Sequence, residues 1–363
     1  MLKRNIFIVI AGALIAVMAL ALVKLGNPPN MGFCIACFLR DITGGLGLHR
    51  VNTLQYIRPE IIGLVLGAFV TSLFTREYRS LGGSNSFTRF ILAFFVMIGM
   101  LVFLGCPLRM VLRIAAGDLN AIVGLVGLIA GVLIGIVFLR KGFSLGRATP
   151  QNKTNGYFFP MLFVALLALL LARPAYIFFS EQGPGSMHAP LIVALIAGLI
   201  MGILAQRTRF CFVGGIRDSI LFGEFYLLYG FFTILVVALI GNLALGSFNL
   251  GFANQPIAHS DGLWNFLGMA LGGFGSVLLG GCPLRQLVSA SEGNTDSAVT
   301  VLGLIAGAAF AHNFGLAAST KGVSAPGQIA VIIGFAIILV VAFLNTKGLP
   351  VRQGVTTGGS QGC

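Results

Sequence analysis

The chain has 363 residues, of which 57% are hydrophobic and only 9% charged, and its mean hydropathy is +0.98. A water-soluble domain carries about a quarter of its residues as charges, so a soluble globular fold is excluded. The formal charge of +13 does not point to nucleic acid, because the basic residues sit at the ends of apolar runs, where the cytoplasmic loops of membrane proteins carry them.

Apolar stretches long enough for a hydrocarbon core of about 30 Å recur from end to end. In chain order they predict ten spanning helices, at residues 5–25, 60–76, 88–105, 120–140, 157–179, 188–206, 223–246, 262–281, 297–316 and 326–345. Lys3 and Arg4 precede the first run as in a secretory signal, but no small-residue cleavage site follows. That run is therefore read as an anchored span. Four shorter pieces, at residues 30–47, 107–117, 210–221 and 283–292, cannot cross and are read as re-entrant. The expected fold class is an all-α polytopic membrane protein.

Three strings recur in order. Phe33-Cys34 with Arg40-Asp41 returns as Phe210-Cys211 with Arg217-Asp218, at an offset of 177 residues. Gly105-Cys-Pro-Leu-Arg109 returns at Gly281–Arg285, and Gly127-Leu-Ile-Ala-Gly131 at Gly303–Gly307, both at an offset of 176. The chain is thus an internal duplication. One repeat period holds five spanning helices and two pieces that dip and return. An odd number of crossings turns the second copy over, so the repeats are expected to be inverted. The organisation that follows is a first half at 1–140, a basic linker at 141–156, a second half at 157–346 and a Gly-rich tail at 347–363 ending in Cys363. Loop charge assigns Arg4, Arg76, Arg79, Arg140, Arg207 and Arg209 to the cytoplasm. Ten crossings then put both termini on that side.

Breaking a helix inside a bilayer frees backbone groups that lipid cannot satisfy, so such breaks belong at protein-lined cavities. Paired breaks in corresponding halves point to a binding site. At Gly105-Cys106-Pro107 and Gly281-Cys282-Pro283 the Pro suits the first helical position. The Cys then falls at the N-cap, beside free N–H groups and the positive dipole end, which favours an anion. The bland alternative is a kink with a small buried Cys; two copies on a repeat axis, with Cys34 and Cys211 aligned as well, outweigh it. Neutral thiols are weak donors that hold a soft anion and let it go, as conduction requires. Arg109, Arg113 and Arg285 are read as drawing anions into vestibules, or else as lying at headgroup level. Arg40-Asp41 and Arg217-Asp218 face the pathway or pin the re-entrant pieces as ion pairs. Cys34-Ile-Ala-Cys37 has redox spacing, but the second half has Gly214 where Cys37 stands. His49, His188, His259 and His312 are scattered, without metal-ligand spacing, and no metal or cofactor is expected. No Gly-x-x-x-x-Gly-Lys-Ser/Thr motif for nucleotide is present.

The doubled Gly-Cys-Pro-Leu-Arg, with Phe-Cys-Phe-Val-Gly-Gly-Ile-Arg-Asp opening the second half, resembles the YeeE/YedE sulfur-transport membrane proteins over residues 5–345. Its Cys-terminated tail is similar to the selenium-associated YedE-like branch. The resemblance implies an hourglass bundle whose cysteine-bearing loops or helices meet at the waist. It implies thiosulfate or a selenium analogue as substrate, and essential thiols at Cys34, Cys106 and Cys282, with Cys211 as the remaining aligned thiol. It also implies a cytoplasmic sulfur-carrier partner of the TusA/SirA type. The expected function is an inner-membrane importer of a small sulfur- or selenium-containing anion. A membrane thiol–disulfide oxidoreductase using Cys34/Cys37, or an anion channel with purely structural cysteines, stands as the alternative.

Overall fold

The computed structural model describes residues 2–346; Met1 and the tail 347–363, with Cys363, lie outside the described residues. Fourteen helices make up the described chain: α1 (Leu2–Lys24), α2 (Ile35–Gly45), α3 (Pro59–Phe74), α4 (Ser86–Phe103), α5 (Pro107–Ala115), α6 (Leu119–Arg140) and α7 (Lys153–Ala172), then α8 (Leu191–Thr208), α9 (Phe212–Phe222), α10 (Tyr226–Ala244), α11 (Gly262–Leu278), α12 (Pro283–Ser291), α13 (Thr295–Asn313) and α14 (Ala325–Leu344). Among the described residues, nine helical stretches are long and apolar enough to cross a membrane, and α3, at 16 residues, is the tenth long helix. The four short helices α2, α5, α9 and α12, of 9 to 11 residues, fall on the four pieces expected to be re-entrant. The protein is an all-α polytopic membrane protein.

The largest difference from the sequence reading is at α7, expected to run to residue 179 and ending at Ala172. Arg173 closes it in the left-handed conformation, φ 45°, because Pro174 disfavours a helical residue before it. Residues 174–190 then fold over the loop after α2, with Ser180 N–H donating to Gln55 O at 2.8 Å and Gly185 N–H to Thr53 O at 2.8 Å. The linker after α6 is tied down too: Leu81–Gly82 (β1) pairs antiparallel with Thr149–Pro150 (β2).

The two halves interlock. Helix α6 lies on α11 and its counterpart α13 on α4; α3 lies on α8 and its counterpart α10 on α1. The recurring Gly-Leu-Ile-Ala-Gly string has a physical reason. Gly127 and Gly131 sit against the Phe266 and Ala270 carbonyls of α11, and Gly303 and Gly307 against the Phe90 and Phe94 carbonyls of α4. Any side chain there would overlap the facing backbone, so the glycines set a close approach that lipid-exposed Leu and Ile do not allow. Counterpart helices α4 and α11 cross antiparallel, Gly99 against Gly268 at one end and Leu92 against Gly275 at the other. Counterparts that run in opposite directions are inverted repeats. Helices α7 and α14 break the symmetry: α7 packs on α3, α12 and α13, whereas α14 packs on α4 and α11. Arg4, Arg207 and Arg209 line one cavity and Arg76, Arg79 and Arg209 another, so one face of the bundle collects loops that charge assigned together.

Candidate functional site

Each short helix begins at a cysteine. Cys34 caps α2, its Sγ accepting from Cys37 N–H at 3.3 Å, and Cys211 caps α9 in the same way, accepting from Gly214 N–H at 3.1 Å. Cys106 and Cys282 cap α5 and α12, each followed by Pro in the first turn, and neither side chain bonds its own helix. The chain reaches Cys106 through Leu104, a non-glycine held left-handed at φ 61°, and reaches Cys282 through Gly280, left-handed at φ 86°. The capping thiols come in pairs. Ile35 N–H donates to Cys106 Sγ at 3.3 Å in the first half. In the second, Cys282 N–H donates to Cys211 Sγ at 3.4 Å and the two sulfurs are 3.7 Å apart. Helix α2 also touches α12, and α5 touches α9. The short helices are therefore paired through their caps within each half, and α2 and α5 reach across to α12 and α9. Cys34, Cys37, Cys106, Cys211 and Cys282 are all buried and free of disulfides.

Helix N-termini present unpaired N–H groups and partial positive charge to an incoming anion. The arginines add to this field unequally. Arg109 is fully buried. Its guanidinium donates to the carbonyls of Leu104, Asn30 (3.3 Å) and Ile257 (3.0 Å) and lies 3.7 Å from Cys37 Sγ. It has no carboxylate partner among the described residues. Arg285, its counterpart, keeps 19% of its side chain exposed and donates to Glu292 at 3.0 Å. It opens on a cavity of about 460 Å³ that also exposes Arg76, Arg79 and Arg209.

The two Arg-Asp strings differ as well. Asp41 is fully buried between Arg40 at 2.7 Å and Arg58 at 2.7 Å, and Arg58 also donates to the Met187 and Pro184 carbonyls. Arg217–Asp218, also 2.7 Å apart, is a little over a fifth exposed and looks onto separate cavities. Arg113 is spoken for: it is buried, paired with Asp118 at 2.7 Å and stacked on Phe103. Neither Arg109 nor Arg113 projects to the surface of the bundle, as a headgroup position requires. Gly105 and Gly281 sit where their arginines fold back, against the side chains of Arg109 and Arg285 respectively. Sequence reasoning left out Arg58, Asp118 and Glu292. Glu292 closes α12 two turns after Arg285, a spacing that was open to view. Among the described residues no group of three or more His, Cys, Asp or Glu is arranged to hold a metal.

These features define a class: a helical membrane protein of inverted repeats whose short helices meet through cysteine caps. Residues 207–351 match the profile of the family described as "Sulphur transport". That match covers most of the second half of the chain, which the internal repeat mirrors in the first. A stretch of 111 residues is 31% identical to the thiosulfate transporter TsuA of Escherichia coli (strain K12). It covers 30% of this chain and 30% of that relative's length.

Proposed function

We propose that the chain imports a small sulfur-containing anion of the thiosulfate type, or a selenium analogue, across the inner membrane along its two thiol pairs. The observation that carries this reading is the pair of cysteine caps in each half, Cys34 with Cys106 and Cys211 with Cys282, on short helices that touch across the halves, α2 on α12 and α5 on α9. The anion enters the field of the α2 and α5 N-termini, where the Cys34 and Cys106 S–H groups replace part of its hydration. It passes to Cys211 and Cys282 and leaves past Arg285. Thiols donate weakly, so each station holds the anion only briefly, as passage through several sites demands. Asp41, Arg40 and Arg58 hold α2 in place, while Arg217 and Asp218 stand at the mouth of α9. An inward-moving anion climbs an inside-negative potential of about 2.3 kcal/mol per charge per 100 mV. Trapping on the cytoplasmic side, by a sulfur-carrier protein of the TusA/SirA type, offsets that climb.

The test is uptake of ³⁵S-thiosulfate, with labelled selenium oxyanions in parallel, into vesicles bearing wild type or Cys282→Ala at matched abundance. Wild type accumulates label and the variant loses at least about tenfold of the rate. Equal rates would sink the thiol pathway, and no uptake by wild type would sink import of these anions.

A further inference from the structure

One short helix carries three groups in line toward the basic face. Cys282 is the N-cap of α12, Arg285 follows one turn on, and Glu292 is its C-cap. Glu292 divides its carboxylate, Oε1 accepting from Arg209 Nη1 at 3.0 Å and Oε2 from Arg285 Nη2 at 3.0 Å. Arg209 is held a second time by Glu77 at 2.7 Å. The other terminal nitrogen of Arg285, Nη1, is buried and has no partner. These side chains line the cavity of about 460 Å³, where four guanidinium groups face two carboxylates and leave it positive. The first half lacks this carboxylate: the position matching Glu292 is Ala116, and Arg109 is spent on main-chain carbonyls and Cys37.

We propose that Glu292 is an internal competitor for the cargo's place on Arg285, a proposal that rests on the transport reading above. An anion leaving Cys282 pairs with the free Nη1 of Arg285. A charge-assisted bond between guanidinium and oxyanion is strong enough to stall it there. The carboxylate already on Nη2 repels the anion and keeps the guanidinium satisfied when it goes. It shortens the stay at the last station and sends the anion into the positive cavity. Arg209 sets the strength of this competition by drawing Glu292 away from Arg285.

The test is ³⁵S-thiosulfate uptake into proteoliposomes by wild type, Glu292→Gln and Arg209→Gln, with equilibrium thiosulfate binding to the same detergent-purified proteins. Each uptake assay is run in neutral phosphatidylcholine and in membranes containing phosphatidylglycerol. Glu292→Gln lowers KM and kcat together, each about fivefold, because the anion binds tighter and leaves more slowly. Arg209→Gln frees Glu292 for Arg285 and raises KM about threefold. The opposite signs separate competition from simple loss of folding. In the binding assay Glu292→Gln tightens thiosulfate binding about fivefold. If wild type transports nothing but this tightening is seen, the transport reading falls and the competitor stands. Unchanged binding, or a lower kcat at unchanged KM, overturns the competitor. An effect confined to phosphatidylglycerol membranes overturns it as well, by assigning the site to a lipid headgroup.

Discussion

In the first half, the arginine after the Cys-Pro break is sealed: Arg109 is fully buried and its donors end on main-chain carbonyls from three separate segments, and beside Cys37. In the second half the same arginine, Arg285, opens on a cavity and leans on a carboxylate. The Arg-Asp strings follow suit, Arg40–Asp41 buried with Arg58 as a third member and Arg217–Asp218 partly exposed. One sequence pattern is therefore sealed in one copy and opens on a cavity in the other, a plug and a mouth on the transport reading. Inverted repeats alternate access when the two copies exchange such arrangements around a fixed site. On the transport reading, the structure is open on one face and shut on the other.

The largest effect that tests this contrast is on stability. Asp41→Ala leaves two buried guanidinium groups without their shared carboxylate, and removing one partner of a buried pair costs about 3–5 kcal/mol. Asp218→Ala removes a pair open to water, worth about 0–1 kcal/mol. Unfolding of the purified proteins in mixed micelles with rising SDS measures both. Equal losses would mean that the two strings do the same structural work and that the plug and mouth are not distinct.

Next in size is a pair of substitutions for which the halves behave alike. Gly131→Val and Gly307→Val push a branched side chain into the Ala270 and Phe94 carbonyls, and overpacking of this kind costs about 1–3 kcal/mol. The same unfolding assay shows similar losses for both. A loss in only one would mean that the glycine contacts do not share a symmetry axis, and would leave the contrast between the two arginines without its common frame.

These substitutions also mark how far the sequence was legible. The ten long and four short helices follow from length alone, since a bilayer sorts apolar runs by whether they reach across it. The repeat was visible because Gly-Leu-Ile-Ala-Gly recurs where α6 and α13 each meet a partner helix backbone to backbone. The charges were harder. Arg58, which completes the pairing of Asp41, lies 17 residues on in a different element, and the carbonyls around Arg109 come from Asn30 and Ile257 in loops with no marking of their own. Glu292 escaped for another reason. Aligning the copies draws the eye to what they share, and this residue matches an alanine. The end of α7 was legible from Arg173-Pro174, but the apolar run beyond it masks the stop.

The smallest expected effect concerns the one thiol that the copies do not share. Cys37 gives its N–H to Cys34 and has its sulfur 3.7 Å from Arg109, while its counterpart Gly214 gives the same N–H to Cys211 with no side chain at all. The cap therefore needs only the backbone of this position, and the second half forms its thiol pair without a third sulfur. Cys37→Ser keeps the N–H and puts a stronger acceptor next to the guanidinium, so ³⁵S-thiosulfate uptake changes by no more than about twofold. A dithiol enzyme built on Cys34-Ile-Ala-Cys37 would instead lose its activity entirely, because a serine cannot close a disulfide. Abolished uptake in Cys37→Ser, with Cys106→Ala and Cys282→Ala near wild type, would move the chemistry from the shared pairs to the unshared thiol, and the paired caps would be scaffold.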